Sequence, residues 1–136
     1  MTSKSCKICF AIFAIFILAS CGKHVTLREL QNNPAGSIKF QTDQNYIEVY
    51  KKARYSLSPS KSFAGQLVQH QFEHYPDLKE AEICQSVSGT MGGPLSYRYY
   101  AVIKSLDKNN TSVNIIYSSP GWKNEALKLK DIILSR

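Results

Sequence analysis

The chain has 136 residues, 43% of them hydrophobic and 20% charged, with 17 basic against 10 acidic side chains and a formal net charge of +7. That length suits one compact domain and a targeting segment, and the apolar fraction excludes a disordered or collagen-like chain. Four cysteines, two of them within the first ten residues, exclude a scaffold built on disulfides.

Lys4 and Lys7 precede the apolar run 8–18, which closes on Leu18-Ala19-Ser20-Cys21. A basic stretch, an apolar stretch and small residues in that order mark an export signal over residues 1–20. Eleven residues fall short of the about 20 that a membrane span needs, so a signal-anchor is rejected. The four closing residues resemble the lipobox of bacterial lipoproteins. That resemblance implies cleavage between Ser20 and Cys21, a thioether-linked diacylglycerol and an N-acyl chain on Cys21, and no other cofactor. Each buried methylene contributes about 0.8 kcal/mol, so two or three acyl chains hold a protein firmly on a membrane. Gly22 stands where some bacteria place an aspartate that retains lipoproteins in the inner membrane, so the expected location is the outer membrane, facing the periplasm. Loss of Lys4 and Lys7 with the signal lowers the side-chain balance from +7 to +5 over the remaining 116 residues.

Removal of the signal also removes Cys6 and Cys9, whose spacing is incidental to targeting. With Cys21 acylated, Cys84 is the single thiol left, and no internal disulfide is possible. Two readings apply to it: a small strand residue, or a reactive thiol that pairs with another molecule in an oxidising compartment.

Residues 21–36 read as the lipidated terminus and a flexible tether, broken at Asn32-Asn33-Pro34, with one turn of helix available around Leu27 and Leu30. About 15 such residues extend at most ~50 Å. A single domain is then expected over 37–136. It opens with a strand carrying Ile38 and Phe40 on one face, followed by a helix over 44–57 capped by Thr42 or Asp43. Tyr46, Val49, Tyr50, Ala53 and Leu57 recur at spacings of three and four, which makes one apolar stripe. Alternation then replaces the helical period. Strands are expected over 63–72, with Val68, His70 and Phe72 on one face, and over 79–87, with Ala81, Ile83 and Val87 opposite Glu80, Glu82 and Cys84. Two more follow over 96–106 and 112–117, joined by Asp107-Lys108-Asn109-Asn110. Pro120-Gly121 ends the sheet, and Trp122, Ala126, Leu129 and Ile133 mark a closing amphipathic helix.

The resulting order, β-α-β-β-β-β-α, predicts an α+β fold in which an antiparallel sheet carries two helices on one face. It resembles the helix-grip or TATA-box-binding-protein-like arrangement, which occurs in the lipoprotein accessory of the outer-membrane β-barrel assembly machinery. Through Tyr46, Tyr50, Ala53, Arg54 and Trp122 it is also similar to small uncharacterised proteobacterial envelope lipoproteins. No catalytic residues come with either resemblance.

Candidate sites are few. His70 and His74 have the spacing of a helical metal pair but fall on a strand, where four residues cover about 13 Å, so no metal site is expected. Cys84 with either histidine lacks an orienting third group, and the glycine-rich stretch 88–94 lacks the lysine of a phosphate loop. No enzyme activity is expected. For recognition, Arg98 and Tyr100 share a strand face opposite Tyr97 and Tyr99, and Lys51, Lys52 and Arg54 form the densest basic run. These five are the candidate interaction surface. The expected function is a non-enzymatic binding or scaffolding module, tied to the membrane by its lipid, for envelope proteins, lipopolysaccharide or cell-wall polymer. Nucleic acid is not expected. The alternative is a carrier of a small apolar or lipid ligand between sheet and helices, and a distant third is a Cys/His hydrolase or metal-binding protein.

Overall fold

A computed structural model describes residues 24–57, 60–63, 66–88 and 94–135. The export signal, Ser20, Cys21 and residues 89–93 of the glycine-rich stretch lie outside the described residues. The described chain runs α1 (Leu27–Asn32), β1 (Gly36–Thr42), α2 (Tyr46–Ser56), β2 (Ser60–Phe63), β3 (Gln66–Tyr75), β4 (Glu80–Ser88), β5 (Ser96–Ser105), β6 (Thr111–Tyr117) and α3 (Lys123–Leu134). Short 3-10 turns at Pro76–Leu78 and Pro120–Trp122 precede β4 and α3.

The six strands form one antiparallel sheet in the order β1-β6-β5-β4-β3-β2. Strands β2 to β6 follow as hairpins, and β1 returns to pair with β6. Alternation puts Ala81 and Ile83 of β4, Tyr99, Ala101 and Ile103 of β5, and Val113, Ile115 and Tyr117 of β6 on one face, all buried. The stripes of α2 (Val49, Tyr50, Ala53) and α3 (Ala126, Leu129, Ile133) cover that face and complete the core. Full burial of side chains such as Ile83, Ile103 and Ile115 contributes about 1.5–3 kcal/mol each. The α+β class and the two helices on one face are as the sequence implies.

Turn and cap chemistry locks the ends. Asn45, not Thr42 or Asp43, caps α2: its Oδ1 accepts the Ile47 amide at 2.9 Å while its Nδ2 donates to the Lys108 carbonyl at 2.9 Å. The β5–β6 turn closes on Asp107 Oδ1, which accepts the amides of Asn109 and Asn110 at 2.8 and 2.9 Å.

Three further expectations are corrected. The strand expected over 63–72 is two strands, β2 and β3, which pair antiparallel with Phe63 opposite Gln66, and β3 runs on through His74 to Tyr75. The tether expected over 21–36 ends by Val25. Thr26 Oγ1 accepts the Glu29 amide at 3.2 Å and Glu29 Oε2 accepts the Thr26 amide at 2.8 Å, a reciprocal cap for α1. Helix α1 lies on β5 and β6, with Leu30 0% exposed and outside the main core cluster. Val25 is fastened further, since its carbonyl accepts the Tyr97 amide at 2.9 Å and its amide donates to Ser96 Oγ at 3.1 Å.

The third correction concerns faces. Gln85 pairs with Tyr99 and Ser86 with Tyr97, so Arg98 is an extra residue on β5, a β-bulge. Arg98 therefore joins Tyr99 on the helix side, whereas Tyr97 and Tyr100 oppose Ser86 and Cys84 on the other side. Arg98 and Tyr100 do not share a surface.

Candidate functional site

The helix layer leaves part of the sheet uncovered. Helices α2 and α3 centre on β4, β5, β6 and β1, and β3 lies beside them, so its helix-side residues Val68 and His70 are only half-buried. The space between β3, the end of α2 and the first turns of α3 is a half-open cleft of about 800 Å³. Its walls are Leu57, Val68, Tyr99, Trp122, Leu129 and Ile132, with Gln85, His70 and Arg98 on its floor and Glu125 and Lys128 on α3. That volume falls in the range of small-molecule sites, about 300–1,000 Å³, and an apolar wall with few converging polar groups is their usual composition.

The floor holds the chemistry. Gln85 stands where the alternation of β4 calls for an apolar side chain, between Ile83 and Val87, and is 4% exposed. Its Nε2 donates to His70 Nε2 at 2.9 Å, which makes that ring nitrogen the acceptor, and its buried Oε1 has no partner among the described residues. Beside it, the Arg98 guanidinium lies 4.0 Å from the centroid of the Trp122 ring, a cation–π contact that holds its plane. Arg98 Nε is buried without an acceptor. Burial weakens the hold of Arg98 on its proton, an effect that Glu125 opposes. Glu125 is itself engaged by Lys128 at 2.7 Å. The cleft thus contains a buried carbonyl oxygen that lacks a donor and a partly desolvated cation without a carboxylate in ion-pair range among the described residues.

The other sequence candidates are dispersed. Lys51 and Arg54 are exposed on α2, but Lys52 Nζ donates to the Ile133 carbonyl at 3.2 Å, a positive charge at the C-terminal end of α3. Tyr100, on the opposite face, is half-buried, with its hydroxyl facing Glu82 and Gln31 of α1; burial, then Glu82, raises its pKa. Cys84 is 7% exposed on that same face, where its thiol donates to Gln71 Oε1 at 3.3 Å. Burial pushes the thiol up to about 11, so at neutral pH it is protonated, which favours the reading as a small strand residue. His74 packs between Tyr46 and Tyr50, stacked on the latter at 5.3 Å. Cys84 and the two histidines thus sit on opposite faces of the sheet, and no group of three potential metal ligands converges among the described residues.

The sequence reading missed Gln85, Glu125 and the role of Trp122. One signal was visible: Ala81, Ile83 and Val87 alternate, and Gln85 interrupts them. Comparison of the chain with protein-family models, with curated proteins and with solved structures finds no match in any of the three.

Proposed function

We propose that this chain is an envelope lipoprotein, acylated on Cys21 and held at the periplasmic face of the outer membrane, whose domain is a non-catalytic carrier of a small ligand with an apolar body. The observation that supports the carrier reading over a scaffold is the cleft of about 800 Å³ between sheet and helices, walled by apolar side chains around a polar floor. A scaffold with a closed core would have no use for such a space. A thiol hydrolase is disfavoured because Cys84 and the histidines are on opposite faces of the sheet.

The test is mass spectrometry of the intact protein taken from native membranes under mild extraction. The expected mass shows Cys21 as the acylated first residue and a small molecule retained in addition to the anchor. Val68→Trp, which fills the cleft from β3, should abolish retention without changing the acylation. A protein that emerges with no small molecule, and a Val68→Trp variant indistinguishable from it, would sink the carrier reading.

A further inference from the structure

The pairing across the sheet sets one row of residues in line: Gly36 with Tyr117, Tyr117 with Tyr99, Tyr99 with Gln85, and Gln85 with His70. Val25 binds β5 just beyond that row, at Tyr97. The polar floor of the cleft and the point where the N-terminal segment joins the domain are therefore at the same end of the sheet. Only three residues separate Val25 from Cys21, and the four steps between them reach at most ~14 Å. If Cys21 is acylated, the cleft is held beside the bilayer surface.

The floor also specifies what the ligand's polar end must offer. Gln85 Oε1, in a side chain 4% exposed, requires a hydrogen-bond donor. Arg98 suits an anion: it is a half-buried cation whose Nε has no acceptor, and Glu125, the carboxylate lining the cleft, is paired with Lys128. A neutral chain satisfies neither group, and an unsubstituted carboxylate satisfies only the second. The apolar walls, from Leu57 and Val68 to Leu129 and Ile132, accept a hydrocarbon body.

We infer that the cleft takes a single-chain lysophospholipid from the membrane that holds the anchor, its phosphate on Arg98, a headgroup or glycerol hydroxyl donating to Gln85 and its acyl chain along the apolar walls. This rests on the carrier reading above and adds the class of ligand, its source and its orientation. Phosphate and guanidinium form charge-assisted hydrogen bonds, and removing them from bulk water strengthens the pair. The stacked Trp122 ring keeps the guanidinium in place before the ligand arrives, which lowers the ordering cost of binding.

The experiment uses the full acylated protein in phosphatidylcholine nanodiscs and a lysophosphatidylglycerol probe with a diazirine in its acyl chain, with crosslinked peptides mapped by mass spectrometry. Labelling is expected on the peptides carrying Val68 and Leu129. Unlabelled lysophosphatidylglycerol should compete at least tenfold better than monoacylglycerol, which lacks the anion, and tenfold better than an unsubstituted fatty acid, which lacks the hydroxyl. Arg98→Met should erase the first preference and Gln85→Leu the second, while Arg98→Lys retains most of the first. Each preference is a ratio within one variant, so a change in overall stability does not imitate it. Equal competition by all three lipids would overturn this inference and leave the carrier reading intact. Stronger competition by a free 3-hydroxy fatty acid than by the lysophospholipid would overturn the membrane source. Labelling outside the cleft peptides only, with no co-purifying small molecule, would remove both.

Discussion

Gln85 is a side chain that the packing of its strand face does not explain. An unpartnered buried amide oxygen costs about 1–3 kcal/mol, and its neighbours on the same strand face are apolar. Gln85→Leu is expected to raise the stability of the unliganded protein by about 1 kcal/mol in urea unfolding, while weakening ligand retention. A loss of stability in that variant would mean that the amide is structural. Cys84 gives a second expectation. Its pKa is raised from 9.0 to about 11 in the folded state, so between those values the unfolded chain releases a proton that the folded chain retains. Stability from this group is fully present below pH 9.0, falls as pH rises, and is lost by about pH 11. Cys84→Ala should flatten that alkaline decline, and an unchanged decline would assign it to other groups. Gln85 was legible as a gap in an alternating pattern. Arg98 was not, because a bulge is set by pairing between two strands and leaves no mark on either sequence alone.

Among the elements, α1 shows how a short helix persists. Six residues are too few to form a stable helix in isolation, so the reciprocal Thr26–Glu29 cap and the burial of Leu30 must supply what length does not. Leu30→Ala is expected to cost about 2–5 kcal/mol and to release the segment through Val25, seen as faster hydrogen exchange at the Tyr97 amide. Exchange at Tyr97 unchanged in that variant would show that Val25 is held independently of the helix. The capping box was present in the sequence as Thr26-x-x-Glu29, but the polar surroundings made it look like a linker. Helices α2 and α3 were legible because their apolar spacing is long enough to outweigh local noise. The division into β2 and β3 and the extension of β3 to Tyr75 were not, because β3 is rich in Gln, His and Glu and all of it is exposed or half-buried.

At the scale of the whole molecule, the sheet has two unequal sides. One carries the main core and the cleft; the other carries α1, Cys84 and Tyr100. The class of fold was legible because short connections between alternating segments constrain topology. The cleft was not, since it arises where the helix layer stops short of β3, a matter of how layers overlap in space. Among the described residues no helix is long and apolar enough to cross a membrane. Cys21→Ala is expected to leave the signal uncut or the protein mislocalised, as read by its electrophoretic size and by membrane fractionation. Normal processing and normal membrane retention would contradict the anchor.

The fastening of Val25 to β5 bears on what kind of traffic such a protein serves. A carrier on a long leash shuttles between two membranes; one moored within a few residues of its lipid does not. On the proposed anchoring through Cys21, its movement would be confined to sliding and turning in the plane of one leaflet. Whatever it lifts from that leaflet must be collected by something that comes to it, or be returned to the leaflet it came from.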